Sequence, residues 1–166
     1  MKNITTAIAV AVTIGLGVAN PAAASEPAAQ ATSATDPAMQ EVIGVVEGFG
    51  KALKAADMAT AARLLDEKVL ILESGGAERS REAYLGHHAV SDAAFLAGAT
   101  VTPKRRSAQV YGDTAWVGTE SEILTGQGDD ARTLLSTETM VLRRQAGDWK
   151  IVHIHWSSRP KKAGAP

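Results

Sequence analysis

Two histidines, His153 and His155, alternate along the closing segment GDWKIVHIHWSS of this 166-residue chain. Alternate residues of a strand share a face and lie roughly 7 Å apart at Cα, so both imidazoles can reach one substrate or one metal ion. The competing reading is a hydrogen-bonded pair belonging to the core. His88 stands midway between Tyr84 and Asp92. On a helix that spacing brings the three onto one face, and Asp92, one turn on, can orient the imidazole. The bland version is a His-Asp pair on a helix surface. His87 lies about 100° further round such a helix and is expected in solvent. Glu73 ends the apolar stretch VLILE. It either points inward from a strand end or caps the turn that follows, near Arg79.

The elements that must position these side chains show in the periodicity. Asp36-Pro37 reads as an N-cap with proline at the first helical position. Val42, Val45, Val46, Phe49, Leu53 and Ala56 follow at helical spacing. Asp57 opens a second, shorter helix with Met58, Ala61, Leu64 and Leu65 as its buried stripe. Residues 69–73 read as a strand stopped by Gly75-Gly76, and Ser80 opens a third helix that continues to Leu96. Four strands come next, at 101–111, 115–124, 133–144 and 149–157, separated by glycine-containing turns. Helices followed by antiparallel strands predict an α+β domain. The expected form is a cone-shaped, strongly curved antiparallel sheet with the N-terminal helices on its concave face and a small-molecule pocket at the open end. In the last strand Trp149, Ile151, His153 and His155 alternate onto one face, and Val152, Ile154 and Trp156 onto the other. A turn centred between Ala146 and Gly147 pairs Leu142 with Ile151, Met140 with His153 and Glu138 with His155. A carboxylate so placed would stabilise the imidazolium and raise its pKa.

Composition sets the surroundings. Lys2, an apolar run from Ile4 to Ala19 and the small residues Ala22 to Ala24 predict a signal peptide over residues 1–24. A flexible leader is expected over 25–36, the folded domain over 37–158 and a disordered tail over 159–166. The apolar run is short for a membrane span, so a periplasmic or secreted protein is expected, with no membrane contact after cleavage. The chain has no Cys, which excludes disulfides and a lipid anchor on cysteine. A net charge of −1, made more negative by loss of Lys2, argues against a nucleic-acid partner.

The order of elements and the closing hairpin resemble the nuclear transport factor 2-like superfamily, in its SnoaL-like branch. There is a particular likeness to the association domain of calcium/calmodulin-dependent protein kinase. That domain ends in a Glu-Thr strand, an Arg-Arg pair, a glycine turn, a Trp and a V-H-x-H strand. Here the stretch is STETMVLRRQAGDWKIVHIHWSS, residues 136–158, and LLDEKVLILES resembles the family's segment leading to a strand-end Glu. The resemblance spans Met39 to Ser158. It implies the cone-shaped fold and frequent homodimers but no single activity, since members include isomerases, dehydratases, cyclases, ligand binders and assembly domains. It also implies that the face carrying Trp149, and with it His153 and His155, is the inner one. Ala115, Val117, Thr119 and Ser121 then turn inward, while Trp116, Glu120 and Trp156 turn outward. Outward tryptophans predict a homodimer through the outer sheet face, centred on Trp116 and Trp156. Met140 and Ser121 stand where the association domain carries two pocket arginines, so a different pocket chemistry is expected.

Three functional expectations result. The first is a small organic ligand bound among Glu73, Tyr84, His88, Ser121, Glu138, Met140, His153 and His155, without a cofactor. The second is a lyase or isomerase with His155 or His88 as general base, tuned by Glu138 or Asp92, and Tyr84 donating to a developing oxyanion. The inner strands lack the Asp base of the family's isomerases and cyclases, which weighs against a direct transfer of their mechanism. The third is a metal held by His88, His153 and His155 with Glu73, in the manner of zinc or copper.

Overall fold

Asp36 caps the first helix as expected: its Oδ1 accepts from the Ala38 amide at 2.9 Å, and Pro37 occupies the first turn. The structure is a computed structural model that describes residues 36–162. The expected signal peptide, most of the leader and the last residues of the tail lie outside the described residues. Helix α1 (Pro37–Lys54) leads to α2 (Met58–Leu64), which is capped by Asp57 through Thr60. Strands β1 (Leu65–Glu73) and β2 (Gly76–Glu78) form a short hairpin. Helices α3 (Arg81–Gly86) and α4 (His88–Ala97) follow, then β3 (Thr100–Tyr111), β4 (Thr114–Thr125), β5 (Arg132–Gln145) and β6 (Asp148–Pro160).

The domain is α+β, with one six-stranded sheet in the order β2-β1-β6-β5-β4-β3. Its pairs are antiparallel except β1 with β6, which run parallel, so the sheet is mixed rather than wholly antiparallel. The expected third helix is two helices broken at His87, whose backbone sits at φ −132°, ψ −81°. Strand β2 was not expected from the sequence. Strand β6 runs on to Pro160, past the expected boundary at Ser158, and Lys161 still bonds the Thr133 carbonyl and the Glu122 carboxylate.

The β5–β6 hairpin turns where expected. Ala146 and Gly147 both have positive φ, 50° and 96°, as a two-residue hairpin turn with right-handed strand twist requires. Leu142 pairs with Ile151, also as expected. The next pair is Val141 with His153, so Val152 is an extra residue on β6, a β-bulge. One extra residue reverses the facing of everything after it. Ile154 and Trp156 therefore join Trp149 and Ile151 on the inner face, while His153 and His155 turn out. Met140 pairs with Ile154 and Glu138 with Trp156, not with His153 and His155. The expected outward Trp156 is likewise corrected; of the two tryptophans expected on the outer sheet face, only Trp116 is there.

With that register the inner face consists of rows that cross five strands. Val110, Ala115, Leu142, Ile151 and Leu65 form one row, and Ala108, Val117, Met140, Ile154 and Ile71 the next. Both are apolar, and α1 covers them with Val42, Val46, Phe49 and Leu53. Trp149 fastens α1 to the hairpin: its indole donates to Glu41 at 3.3 Å, and Arg144 lies 4.7 Å from its ring centre while pairing with the same carboxylate.

Deleting Val152 should return Ile154 and Trp156 to solvent and push the histidines into the core. Each apolar side chain lost from the core costs about 1.5–3 kcal/mol, so the deletion should remove most of a small domain's stability. Val152→Ala should cost under about 1.5 kcal/mol. Urea unfolding of the two variants checks this; equal midpoints would contradict the bulge.

Candidate functional site

Above the apolar rows the inner face becomes polar. Arg106, Thr119, Glu138, Trp156 and Glu73 pair in succession across β3, β4, β5, β6 and β1. Ser121, Ser136 and Ser158 form the next row outward. Glu47 and Phe49 of α1 reach this polar row, through Arg106 and Trp156. Thr119 is only 7% exposed and accepts from Arg106 Nε at 3.4 Å. The same guanidinium reaches Glu47 of α1 at 2.6 Å and holds that carboxyl below its ordinary pKa, chiefly by hydrogen bonding.

Trp156 is the centre of this layer. Its ring stacks on Phe49 at 6.4 Å and meets Tyr84 at 6.3 Å, and its indole N–H donates to Glu138 at 2.8 Å. Burial pushes the Glu138 carboxyl above its usual range, against the lowering effects of the indole and of Arg106. Tyr84 is 1% exposed and donates its hydroxyl to Asp92 at 2.8 Å. Burial raises both: the phenol well above its ordinary value, helped by Asp92, and the Asp92 carboxyl against the opposing effects of Tyr84 and His88. Glu73 is raised by burial and then by the charge of Asp92.

A cleft of about 340 Å³ opens beside Tyr84. It is lined by Ile71, Glu73, Glu78, His88 and the β1–β2 turn as well as by Tyr84, a volume within the range of small-molecule sites. The break at His87 swings His87 and His88 toward one acceptor, Glu78 Oε1, which both Nδ1 atoms contact. Those contacts hold the Glu78 carboxyl below its ordinary range.

The expected site residues thus divide. Glu73, Tyr84 and His88 line the cleft with Asp92 behind Tyr84, while Glu138 lies along the row beneath Trp156. Ser121 is half-buried further out. Met140, 1% exposed, belongs to the core floor. His153 is outward and bonds the Leu70 carbonyl at 2.8 Å, and His155 is exposed; the bulge removes both from the concave side. They cannot join His88 and Glu73 in the expected metal set. Sequence reasoning missed Glu78, Arg106 and the inward Trp156. Glu78 had a signal: a tight Ser74–Gly75 turn sets it opposite Ile71, which places it on the inner face.

A six-stranded curved sheet packed against N-terminal helices defines the nuclear transport factor 2-like fold. The SnoaL-like domain model matches residues 42–160, and the chain belongs to that family. A Shewanella frigidimarina protein provisionally described as a ketosteroid isomerase is 37% identical, with a TM-score of 0.64 over 69% of this chain and 92% of that one. The CaMKII hub of S. rosetta shares the fold at 23% identity and a TM-score of 0.64, over 73% of this chain and 96% of the hub. So does a Streptomyces avermitilis protein provisionally described as a dehydratase, at 24% identity and a TM-score of 0.59, over 77% and 99%. No curated protein matches the chain.

A carboxyl whose pKa is raised by folding binds more protons in the native state than in the unfolded state, between the ordinary value and the raised one. Stability therefore falls as pH rises through that window. Glu138→Gln keeps an acceptor for Trp156 and removes the charge, so it should stabilise the protein at neutral pH. The gain should vanish by about pH 4, where a free Glu is itself largely protonated. Urea unfolding at the two pH values measures this; a variant less stable than wild type at neutral pH would contradict it.

Proposed function

We propose that this domain binds a small neutral organic molecule bearing a carbonyl or hydroxyl oxygen in the cleft between the β1–β2 hairpin and α3. The observation that carries this reading is the Tyr84–Asp92 hydrogen bond at 2.8 Å, set beside Glu73 at the wall of a 340 Å³ cleft. Glu73, Glu78 and Asp92 give the region acidic character, which disfavours an anionic ligand. Carboxyls raised by burial can donate as well as accept, which suits a neutral oxygen. Ile71 and the Tyr84 ring supply apolar contact.

A second reading, proton transfer on that ligand, is favoured by the raised Glu73 carboxyl in the wall. A carboxyl brought nearer to neutral pH is a better general acid and base. When Asp92 is protonated and donates to the phenol oxygen, Tyr84 is free to donate its own hydrogen to an enolate or alkoxide. Glu73 takes the role first assigned to histidine, with His88 tied instead to Glu78. The provisional descriptions of the Shewanella and Streptomyces proteins, as isomerase and dehydratase, name reactions of this kind.

The test is a nuclear magnetic resonance titration with a panel of small cyclic and acyclic ketones and alcohols, recorded in deuterated water. Ligand shifts should centre on Ile71, Glu73 and Tyr84, and Tyr84→Phe should weaken binding roughly fivefold to tenfold. If the cleft is catalytic, deuterium should enter the carbon beside the carbonyl, and Glu73→Gln should slow this by about 10² or more. Binding that neither variant alters would overturn the cleft as the site; binding without exchange would leave the first reading and remove the second.

A further inference from the structure

At the rim of the cleft, three groups from two elements meet in a way that hydrogen bonding alone does not require. Glu78 closes β2, and His87 and His88 straddle the junction of α3 and α4. In a continuous helix, adjacent side chains point about 100° apart. Here the chain breaks at His87, which ends one helix and starts the next without a side-chain cap. The two imidazoles consequently lie edge to face, 4.4 Å between centres at 69°. Both turn Nδ1 toward the same carboxylate oxygen, and the three ligand atoms lie within 4.8 Å of one another. Among the described residues no other group of three histidine or acidic side chains meets that condition.

We propose that Glu78, His87 and His88 form a binding site for a divalent transition-metal ion of the zinc type. Two imidazole nitrogens and one carboxylate oxygen are the donors such ions favour. Zinc bonds near 2.0–2.1 Å in a tetrahedron set neighbouring donors roughly 3.3 Å apart. His87 Nδ1 and Glu78 Oε1 are already 3.4 Å apart. His88 Nδ1 lies closer to that oxygen and would move out as the metal takes the shared proton's place. Surrounding charge favours a cation, because Glu73 and Asp92 also act electrostatically on His88. Glu78 and His88 line the cleft, so the open fourth position would face it. A metal there could polarise a ligand oxygen, but the site itself does not depend on the cleft binding an organic molecule. This set shares only His88 with the metal set expected from the sequence.

The experiment is a calorimetric titration of the untagged full-length chain, stripped with chelator, using zinc chloride alone. One zinc per chain should bind at micromolar concentration. His87→Ala, which removes a side chain that is 75% exposed and so should not disturb folding, should weaken binding at least about tenfold, as should Glu78→Gln. His155→Ala, on the outer face, should leave it unchanged. Cobalt(II) in place of zinc should show the visible absorption of a low-coordinate site, lost in His87→Ala. No stoichiometric binding at micromolar zinc, or binding that His87→Ala and Glu78→Gln leave intact, would overturn the proposal. Because no organic ligand is present, either result is independent of the titrations with ketones and alcohols.

Discussion

The register between β5 and β6 decides what the concave face of this domain contains. Up to Ile151 the pairing follows from the turn alone. At Val152 the strand takes in one residue without a partner, and from there its two faces exchange. The exchange places Ile154 against the core and lays the Trp156 ring between Phe49, Tyr84 and Glu138. Without the bulge, two imidazoles would occupy those positions, leaving an aromatic cluster incomplete and Glu138 without its indole donor. Core packing and site polarity therefore depend on the same local irregularity.

The layering that follows has a thermodynamic consequence. Apolar rows near α1 provide most of the stabilisation, since they remove large side chains from water. The polar layer works against folding at neutral pH: Glu138, Asp92 and Glu73 all meet burial that disfavours their charged forms. Each has a compensating partner, the indole, the phenol or His88, but none is fully offset. Glu138 and Asp92 are half-buried and Glu73 sits at an exposed strand end; partly desolvated groups of this kind are common where a protein must bind or move protons. The cleft opens beside Glu73 and Tyr84, where this cost is concentrated.

Much of the fold was legible in the sequence. Asp36-Pro37 and Asp57 mark helix starts because capping chemistry is local. The four long strands show because glycine-containing turns separate runs of strand-forming residues, and the hairpin turn shows because Ala146-Gly147 lies between two such runs. The site was less legible. Tyr84, Asp92 and His88 came from helical spacing and Glu73 from a strand end, and all four occupy the cleft region. The expected pairing of Asp92 with His88 is replaced, because the break at His87 gives His88 to Glu78 and leaves Asp92 with Tyr84. His153 and His155 failed because alternation assumes that no residue is inserted; a bulge at Val152 leaves no composition signal in a run of β-branched residues. Two outer tryptophans became one for the same reason. The pairing of His87 with His88 was hidden because a helix break at His87, with neither Gly nor Pro to mark it, cannot be read from periodicity.

Nuclear Overhauser contacts from the Trp156 indole are the most direct measure of this arrangement. With the bulge in place, the ring should show contacts to the aromatic protons of Phe49 and Tyr84, and the His155 ring should show none to α1. Contacts between His155 and Phe49, with Trp156 giving none to either aromatic partner, would contradict the register on which the site is built.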